Sequence, residues 1–430
     1  MKYYQEKQEK MNVEDIKKLQ SKLLVRLVKR MYINVPYYQK KLRNLGIDLE
    51  EIKGIGDIYK LPFMTKDDLK KAYPDKLLAV PKSECVRIQS TSGTTGKRVI
   101  AYYTKNDIEI WEECCARAIV AAGGDSQDVC QVSFGYGLFT GGAGMNGGAQ
   151  KVGCLTLPMS IGNTKRQIQF MTDLNTTILC CTPSYAANLG EYIEKNDLLD
   201  KLSLKTGIFG AEPWTNEMRR ELEKKLRINA YDIYGLTEIM GPGVAFECIQ
   251  KDGMHIQEDH FYAEVVDPID GHVLPEGALG ELVLTSLTKQ AFPLIRYRTR
   301  DLCKISRKKC LCGRTHIKMS KPIGRSDDMI IIKGVNVWPT QVEAVLLENG
   351  YSSNYLLEVD RTNCQDSLVI KVENDKKIRD EEIKKREIIK LENELRSTLG
   401  IRGTVVFVDI GVIKRSEGKS QRVIDHRKLY

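Results

Sequence analysis

The chain contains no uninterrupted apolar run approaching the ~18 residues that a membrane-spanning helix needs. Its opening residues, MKYYQEKQEKMNVEDIKK, are charged where a secretory signal would be apolar. These two absences predict a cytoplasmic protein with no membrane partner. A strong charge bias is missing as well. The 66 Lys and Arg stand against 57 Asp and Glu, a formal +9 spread along the chain without a basic tail. Such a balance suits anionic small molecules as well as nucleic acid and selects neither. There is no internal repeat, and no Gly-Lys-Ser/Thr opens a helix in the Walker arrangement. Disulfides are not expected. Of the 12 cysteines, Cys114-Cys115 and Cys180-Cys181 are adjacent pairs, and others sit in apolar runs such as TTILCCTP. That is the pattern of buried thiols in a reducing compartment.

What is present is chain enough, 430 residues at 42% hydrophobic and 29% charged, for two or three domains. EDIKKLQSKLLVRLVKRMY, residues 14–32, places apolar side chains at helical spacing, and NVPYYQKKL and TKDDLKKAY extend a helical N-terminal region. From about 106 to 240, strand-like segments (VCQVSFGYG, CLTLPM, TTILCCTP, KTGIFGAEP, INAYDIYG) alternate with helical ones (NDIEIWEECCARAIVAA, KRQIQFMTDL, YAANLGEYIE, NEMRRELEKKL). This alternation predicts an α/β fold, a mostly parallel helix-covered sheet with ligands at the carboxyl ends of its strands. Residues 260–305 read as a β-rich subdomain. Past Gly324 the chain reads as a compact α+β unit in which KVENDKKIRDEEIKKRE is a solvated helix face. The expected division is a large domain over 1–325 and a small mobile domain over 326–430.

Several short stretches carry chemistry. TSGTTGK has the glycines and hydroxyls to cradle a phosphate, although alone it reads equally well as a loop. YGLTE follows a buried strand, which predicts an exposed Glu238 at the sheet edge with oxygens able to hold Mg²⁺. RYRTRD ends in Asp301, a carboxylate suited to two ribose hydroxyls. GRSDDMIIIKG joins the large region to the small one, and RSEGKSQRVID places Lys419 in a Ser/Gly-containing turn.

In this order and spacing the stretches resemble the adenylate-forming superfamily and, within it, the phenylacetate–CoA ligase family, from about residue 30 to 427. The resemblance implies ATP-dependent activation of an aryl or arylalkyl acid to an acyl-AMP, followed by transfer to coenzyme A. It further implies that Ser92, Gly93, Thr94, Thr95, Gly96 and Lys97 hold the β and γ phosphates. Arg98 stands where the family often has proline, and is expected to face solvent. Glu238 matches the Mg²⁺ ligand, and Thr237 lies beside the α-phosphate. Gly210, Ala211, Glu212 and Pro213 line adenine. Tyr234 and Gly235 continue that wall, with the Tyr234 ring available to stack on the base. Asp301 matches the ribose aspartate, and Arg325 reaches toward ribose and phosphate. Asp327 is the hinge about which the small domain rotates, and Lys419 stabilises the adenylation transition state. Tyr136 and Phe139 in SFGYGLFTGG match an aromatic segment lining the acid pocket.

KKCLCGRTH carries Cys310 and Cys312, and ECIQKDGMHIQEDH upstream carries Cys248 and His255. Three thiolates and an imidazole make a recognised tetrahedral zinc set, and the resemblance adds weight to a structural zinc here. His260 and His316 compete for the fourth position. An extended chain would put His255 and His260 on opposite faces. Two other functions compete with the leading one: adenylyl transfer to another acceptor such as a deazaflavin, and a zinc-stabilised nucleic-acid-binding protein. The second is disfavoured because basic residues are mixed with acidic ones along the helices, so nucleic acid is not expected as a partner. A homodimer remains compatible with the sequence.

Overall fold

The computed structural model describes residues 3–91, 98–326, 329–333, 335–362, 365–416 and 420–427. Five parallel strands form the centre of its largest sheet. In spatial order they are Leu155–Leu157, Val129–Val132, Ile178–Cys181, Thr206–Gly210 and Asn229–Leu236. The inner strands are covered on both faces; all four residues of Ile178–Cys181 are buried. Double coverage is why these segments are apolar throughout and do not alternate. Helices Lys105–Ala121, Pro183–Lys195 and Asn216–Leu226 start on Thr104, Thr182 and Thr215, whose hydroxyls accept first-turn N–H groups.

Two features depart from the sequence reading. The sheet continues antiparallel beyond Asn229–Leu236 through Gly241–Glu247, Met254–Ile256, Lys318–Met319 and Ile305–Ser306, making nine strands in all. A further helix, Thr140–Val152, is built from TGGAGMNGGAQKV, a composition that argues against helix. The β-rich subdomain is a four-stranded antiparallel sheet ordered Phe261–Val266, Gly280–Ser286, Tyr297–Cys303, Gly324–Arg325.

Past Gly324, the helices Pro339–Glu348 and Glu381–Leu399 pack on a sheet of Thr404–Val408, Gln365–Glu373, Tyr355–Thr362 and Val423–Asp425. This unit has its own core, including Val342, Leu346, Leu357, Ile370 and Leu391. In the helix Glu381–Leu399 only Leu391, Leu395 and Leu399 are buried, so its charged residues form a solvated face. The start of KVENDKKIRDEEIKKRE, by contrast, is not helix: residues 371–373 end the strand Gln365–Glu373, with Glu373 buried. Among the described residues no helix is long and apolar enough to cross a membrane.

Candidate active site

Four neighbouring parallel strands end on one side of the sheet, and the segments that leave three of them are ones that the motifs singled out. Residues 133–139 follow Val129–Val132, and Thr182 follows Ile178–Cys181. Ala211–Pro213 follow Thr206–Gly210, and Thr237–Glu238 follow Asn229–Leu236. Close backbone approach explains two glycines here. A Cβ on Gly210 would lie 2.1 Å from the Ile233 carbonyl oxygen, and one on Gly235 would lie 1.8 Å from that of Gly241. Ala211 takes the left-handed conformation, φ +72°, which is strained for any residue with a Cβ.

Tyr234, Asp301 and Arg325 come together although they lie far apart in sequence. The Tyr234 hydroxyl donates to Asp301 Oδ2 at 2.5 Å, and Arg325 Nη1 lies 3.9 Å from Asp301 Oδ1. Antiparallel pairing of Tyr297–Cys303 with Gly324–Arg325 sets Asp301 directly opposite Arg325. Burial, and then the Asp301 charge, push the Tyr234 hydroxyl well above its ordinary range, so it stays a donor. The arginines of RYRTRD serve the scaffold. Arg296 clamps Glu264 at 2.9 and 3.1 Å, and Arg298 reaches Glu281 at 2.5 Å. Asp301 is thereby presented from a strand whose cations are otherwise engaged.

The sequence predicts an exposed Glu238, but it is buried: the turn after Leu236 packs against Tyr103 of the strand Ile100–Thr104. Its carboxylate makes no hydrogen bond or ion pair among the described residues. Thr237 Oγ1 lies 3.4 Å from Thr140 Oγ1. Two groups that carry no sequence signature hold this turn. The Tyr103 hydroxyl donates to the carbonyls of Met240 at 2.8 Å and Thr237 at 3.4 Å. The fully buried Lys289 donates to the Ile239 carbonyl at 2.9 Å, with its ammonium 4.4 Å from the Tyr103 ring centre. Burial lowers the Lys289 pKa to about 8, against the pull of Asp107 and Glu238.

The hairpin Cys85–Ser90/Ile100–Thr104 carries the TSGTTGK stretch. Thr91 N donates to the Val99 carbonyl at 3.1 Å and Val99 N to Thr91 Oγ1 at 3.1 Å, so both ends of the intervening chain are pinned. Ser92, Gly93, Thr94, Thr95, Gly96 and Lys97 themselves lie outside the described residues, as do Asp327 and Lys419. Arg98 is exposed. Ser90 N donates to Leu138 O at 2.8 Å, tying the hairpin to the aromatic segment. There Tyr136 is half-buried, with its hydroxyl donating to Asn146 Oδ1 at 3.3 Å, and Phe139 is 49% exposed. Pro213 is exposed and Glu212 half-buried. The Glu212 carboxylate is held by two backbone N–H groups, Ser184 at 2.8 Å and Ser420 at 3.0 Å.

Away from this face, Cys248, His255, Cys310 and Cys312 converge, all buried, with their donor atoms within 4.8 Å of one another. Cys248 and Cys310 sulfurs are 3.7 Å apart, and Cys312 Sγ is 3.4 Å from His255 Nε2. A tetrahedral ion with metal–sulfur bonds of about 2.3 Å sets sulfur–sulfur edges of about 3.8 Å. Hydrogen bonding between Cys248 and Cys312 pushes the first thiol up and pulls the second down. His260 is engaged with Thr288 at 3.0 Å and His316 with the Gln8 carbonyl at 3.1 Å; neither belongs to the cluster. The cysteine loop also anchors the chain's start. The Tyr3 hydroxyl donates to Cys312 O at 2.6 Å, and the buried Arg314 pairs with Glu9 at 2.7 Å.

The strand order, the segments at the strand ends and the Tyr234–Asp301–Arg325 group define an adenylate-forming enzyme with a separate carboxyl-terminal unit. Residues 19–288 match the AMP-binding enzyme family, and residues 334–427 match the AMP-binding enzyme C-terminal domain. The chain is 47% identical over 407 residues to the phenylacetate-coenzyme A ligase of Pseudomonas putida, covering 93% of this chain and 92% of that one. It is 44% identical over 426 residues to the Escherichia coli enzyme of that name, with 97% and 96% covered. It therefore belongs to the phenylacetate–CoA ligase family, and is an ATP-dependent, AMP-forming acid–CoA ligase. Among solved structures it superposes on a 2-hydroxyisobutyryl-CoA ligase in the postadenylation state with a TM-score of 0.92, at 25% identity, covering 98% of this chain and 92% of that one. Against the same ligase in the thioesterification state, at 26% identity with 99% and 93% covered, the TM-score is 0.73.

Proposed function

We propose that the acid is an aryl or arylalkyl carboxylate of the phenylacetate type. The observation that supports this most is identity of 42–47% over more than nine-tenths of four phenylacetate-coenzyme A ligases. The half-buried Tyr136 beside glycine-rich backbone is consistent with room for a ring, with Phe139 at the outer rim of the pocket. A large domain over 1–325 carries the nucleotide and acid sites, and a small domain over 326–430 turns about Asp327.

In this reading Asp301 orients the ribose, with Tyr234 donating to one of its oxygens and Arg325 neutralising part of its charge. Gly210, Ala211, Glu212 and Pro213 present backbone to adenine, and Tyr234 and Gly235 complete that wall. Ser92, Gly93, Thr94, Thr95, Gly96 and Lys97 hold the β and γ phosphates, with Thr237 beside the α-phosphate. Glu238, an enclosed carboxylate without a partner among the described residues, fits an Mg²⁺ ligand; the ion supplies charge neutralisation on the departing pyrophosphate. Lys419 bridges the acid and the α-phosphate as charge develops. Cys248, His255, Cys310 and Cys312 fit a structural zinc, which ties the cysteine loop to the mixed sheet and has no part in the ATP chemistry. The 11 cysteines among the described residues are all free thiols, in keeping with a reducing, cytoplasmic setting.

The test is pyrophosphate exchange across a panel of aryl and aliphatic acids, followed by CoA-dependent release of AMP. Exchange stimulated by phenylacetate-like acids and completed by CoA is the expected result. Exchange with short aliphatic acids alone, or AMP transfer to a deazaflavin with no thioester, overturns it.

A further inference from the structure

The Glu212 carboxylate does something that an adenine-lining segment does not require. One oxygen accepts from Ser184 N, in the first turn of the helix Pro183–Lys195, and the other accepts from Ser420 N in the small domain. Further along that helix, Glu191 accepts from Asn354 Nδ2 at 2.6 Å and from Arg415 Nε at 3.1 Å, both small-domain groups. Arg415 is fixed in turn by two bonds, 2.7 and 2.8 Å, to the fully buried Glu373. Two large-domain carboxylates therefore grip the small domain at residues 415 and 420, positions that bracket Lys419 in sequence. The strained Ala211 lies just before Glu212. Hydrogen bonds from N–H groups to ionised carboxylates are among the stronger polar contacts a protein makes.

We infer that Glu191 and Glu212 are positioning residues for acid activation, stabilising the seat of the small domain in that half of the reaction and not in thioester formation. The inference rests on the reading of Lys419 as the adenylation lysine. The similarity scores support its one-sidedness: the domain arrangement here corresponds to the postadenylation state of the 2-hydroxyisobutyryl-CoA ligase far better than to its thioesterification state. Contacts made in one arrangement and absent from another shift the balance between the two by their own free energy.

Glu191→Gln and Glu212→Gln, on separate elements, test this in two assays. One is acid-dependent pyrophosphate exchange. The other is thioester formation from supplied phenylacetyl-AMP and CoA. Each variant is expected to lose exchange by about ten-fold. Glu191→Gln should keep thioester formation within about two-fold, and Glu212→Gln should lose less there than in exchange. Unchanged exchange, or equal loss in both assays at unchanged melting temperature, overturns the inference. Lys419→Ala separates this outcome from failure of the underlying reading. Selective loss of exchange in Lys419→Ala without selectivity in the glutamate variants refutes the seat alone. Intact exchange in Lys419→Ala refutes the assigned role of Lys419.

Discussion

At the scale of single residues, the Tyr234–Asp301 pair makes the sharpest claim. RYRTRD is dense in charge, and from its spacing alone any of its arginines could have faced a phosphate. Burial sorts them: Arg296 and Arg298 are matched to Glu264 and Glu281 inside the β-rich subdomain, which leaves Asp301 toward the strand ends. The sequence reading assigns Tyr234 to the adenine wall. Its hydrogen bond is not legible there, because the partner lies 67 positions away and is delivered by a different sheet. Tyr234→Phe keeps the ring and removes the donor. A hydrogen bond to a charged group contributes about 1.5–3 kcal/mol, so the KM for ATP in pyrophosphate exchange should rise about ten-fold or more. An unchanged KM would show that Asp301 needs no such orientation.

At the scale of elements, the glycine-rich helix Thr140–Val152 reverses a usual rule. Glycine inside a helix normally costs about 1 kcal/mol relative to alanine. Here the glycines let the helix lie against Lys105–Ala121 at near backbone contact. A Cβ on Gly148 would fall 2.4 Å from Cys115 Cβ and 2.8 Å from its carbonyl carbon, and one on Gly144 would fall 2.5 Å from the Trp111 ring. Gly148→Ala should therefore destabilise by about 1–3 kcal/mol where propensity alone predicts a gain. Urea unfolding measures the sign directly, and a stabilised variant would refute the packing account. The parallel strands and the helices between them were readable because each carries its own apolar pattern. This helix was not, since its stability comes from a neighbouring surface that no local window contains.

At the scale of the whole molecule, Glu343 should make stability depend on pH. Burial, reinforced by Glu212 and opposed by Arg422, lifts its carboxyl from the ordinary 4.5 to about 7. Between those values the folded protein holds a proton that the unfolded chain releases, so stability falls as pH rises through that window and levels above it. At about 1.36 kcal/mol per pKa unit the term is on the order of 3 kcal/mol. Asp232, raised to about 6 chiefly by burial, adds a term of the same sign. Glu343→Gln should reduce the loss of stability between pH 5 and pH 8 in urea titrations; an unaltered slope would remove Glu343 from the account. The cysteine cluster acts on the same scale. Chelation should release about one zinc per chain, lower the melting temperature, and open residues 3–11 to protease, because Tyr3 and Glu9 are held by the Cys312–Arg314 loop. Unchanged melting after metal removal would dismiss the zinc.

The amino-acid sequence by itself determined the class of fold, the parallel strands with the helices between them, and the stretches that leave the strand ends. Those properties reside in local apolar periodicity and in short runs whose chemistry is complete within a few residues. Tertiary structure alone decided that Glu238 is enclosed, that Lys289 and Tyr103 brace its turn, and that His255 joins the thiols where His260 does not. It also decided that Glu212 grips the other domain. Each of these depends on which distant backbone arrives at a given strand end. That is settled by sheet register and domain docking, quantities that no single stretch of sequence encodes.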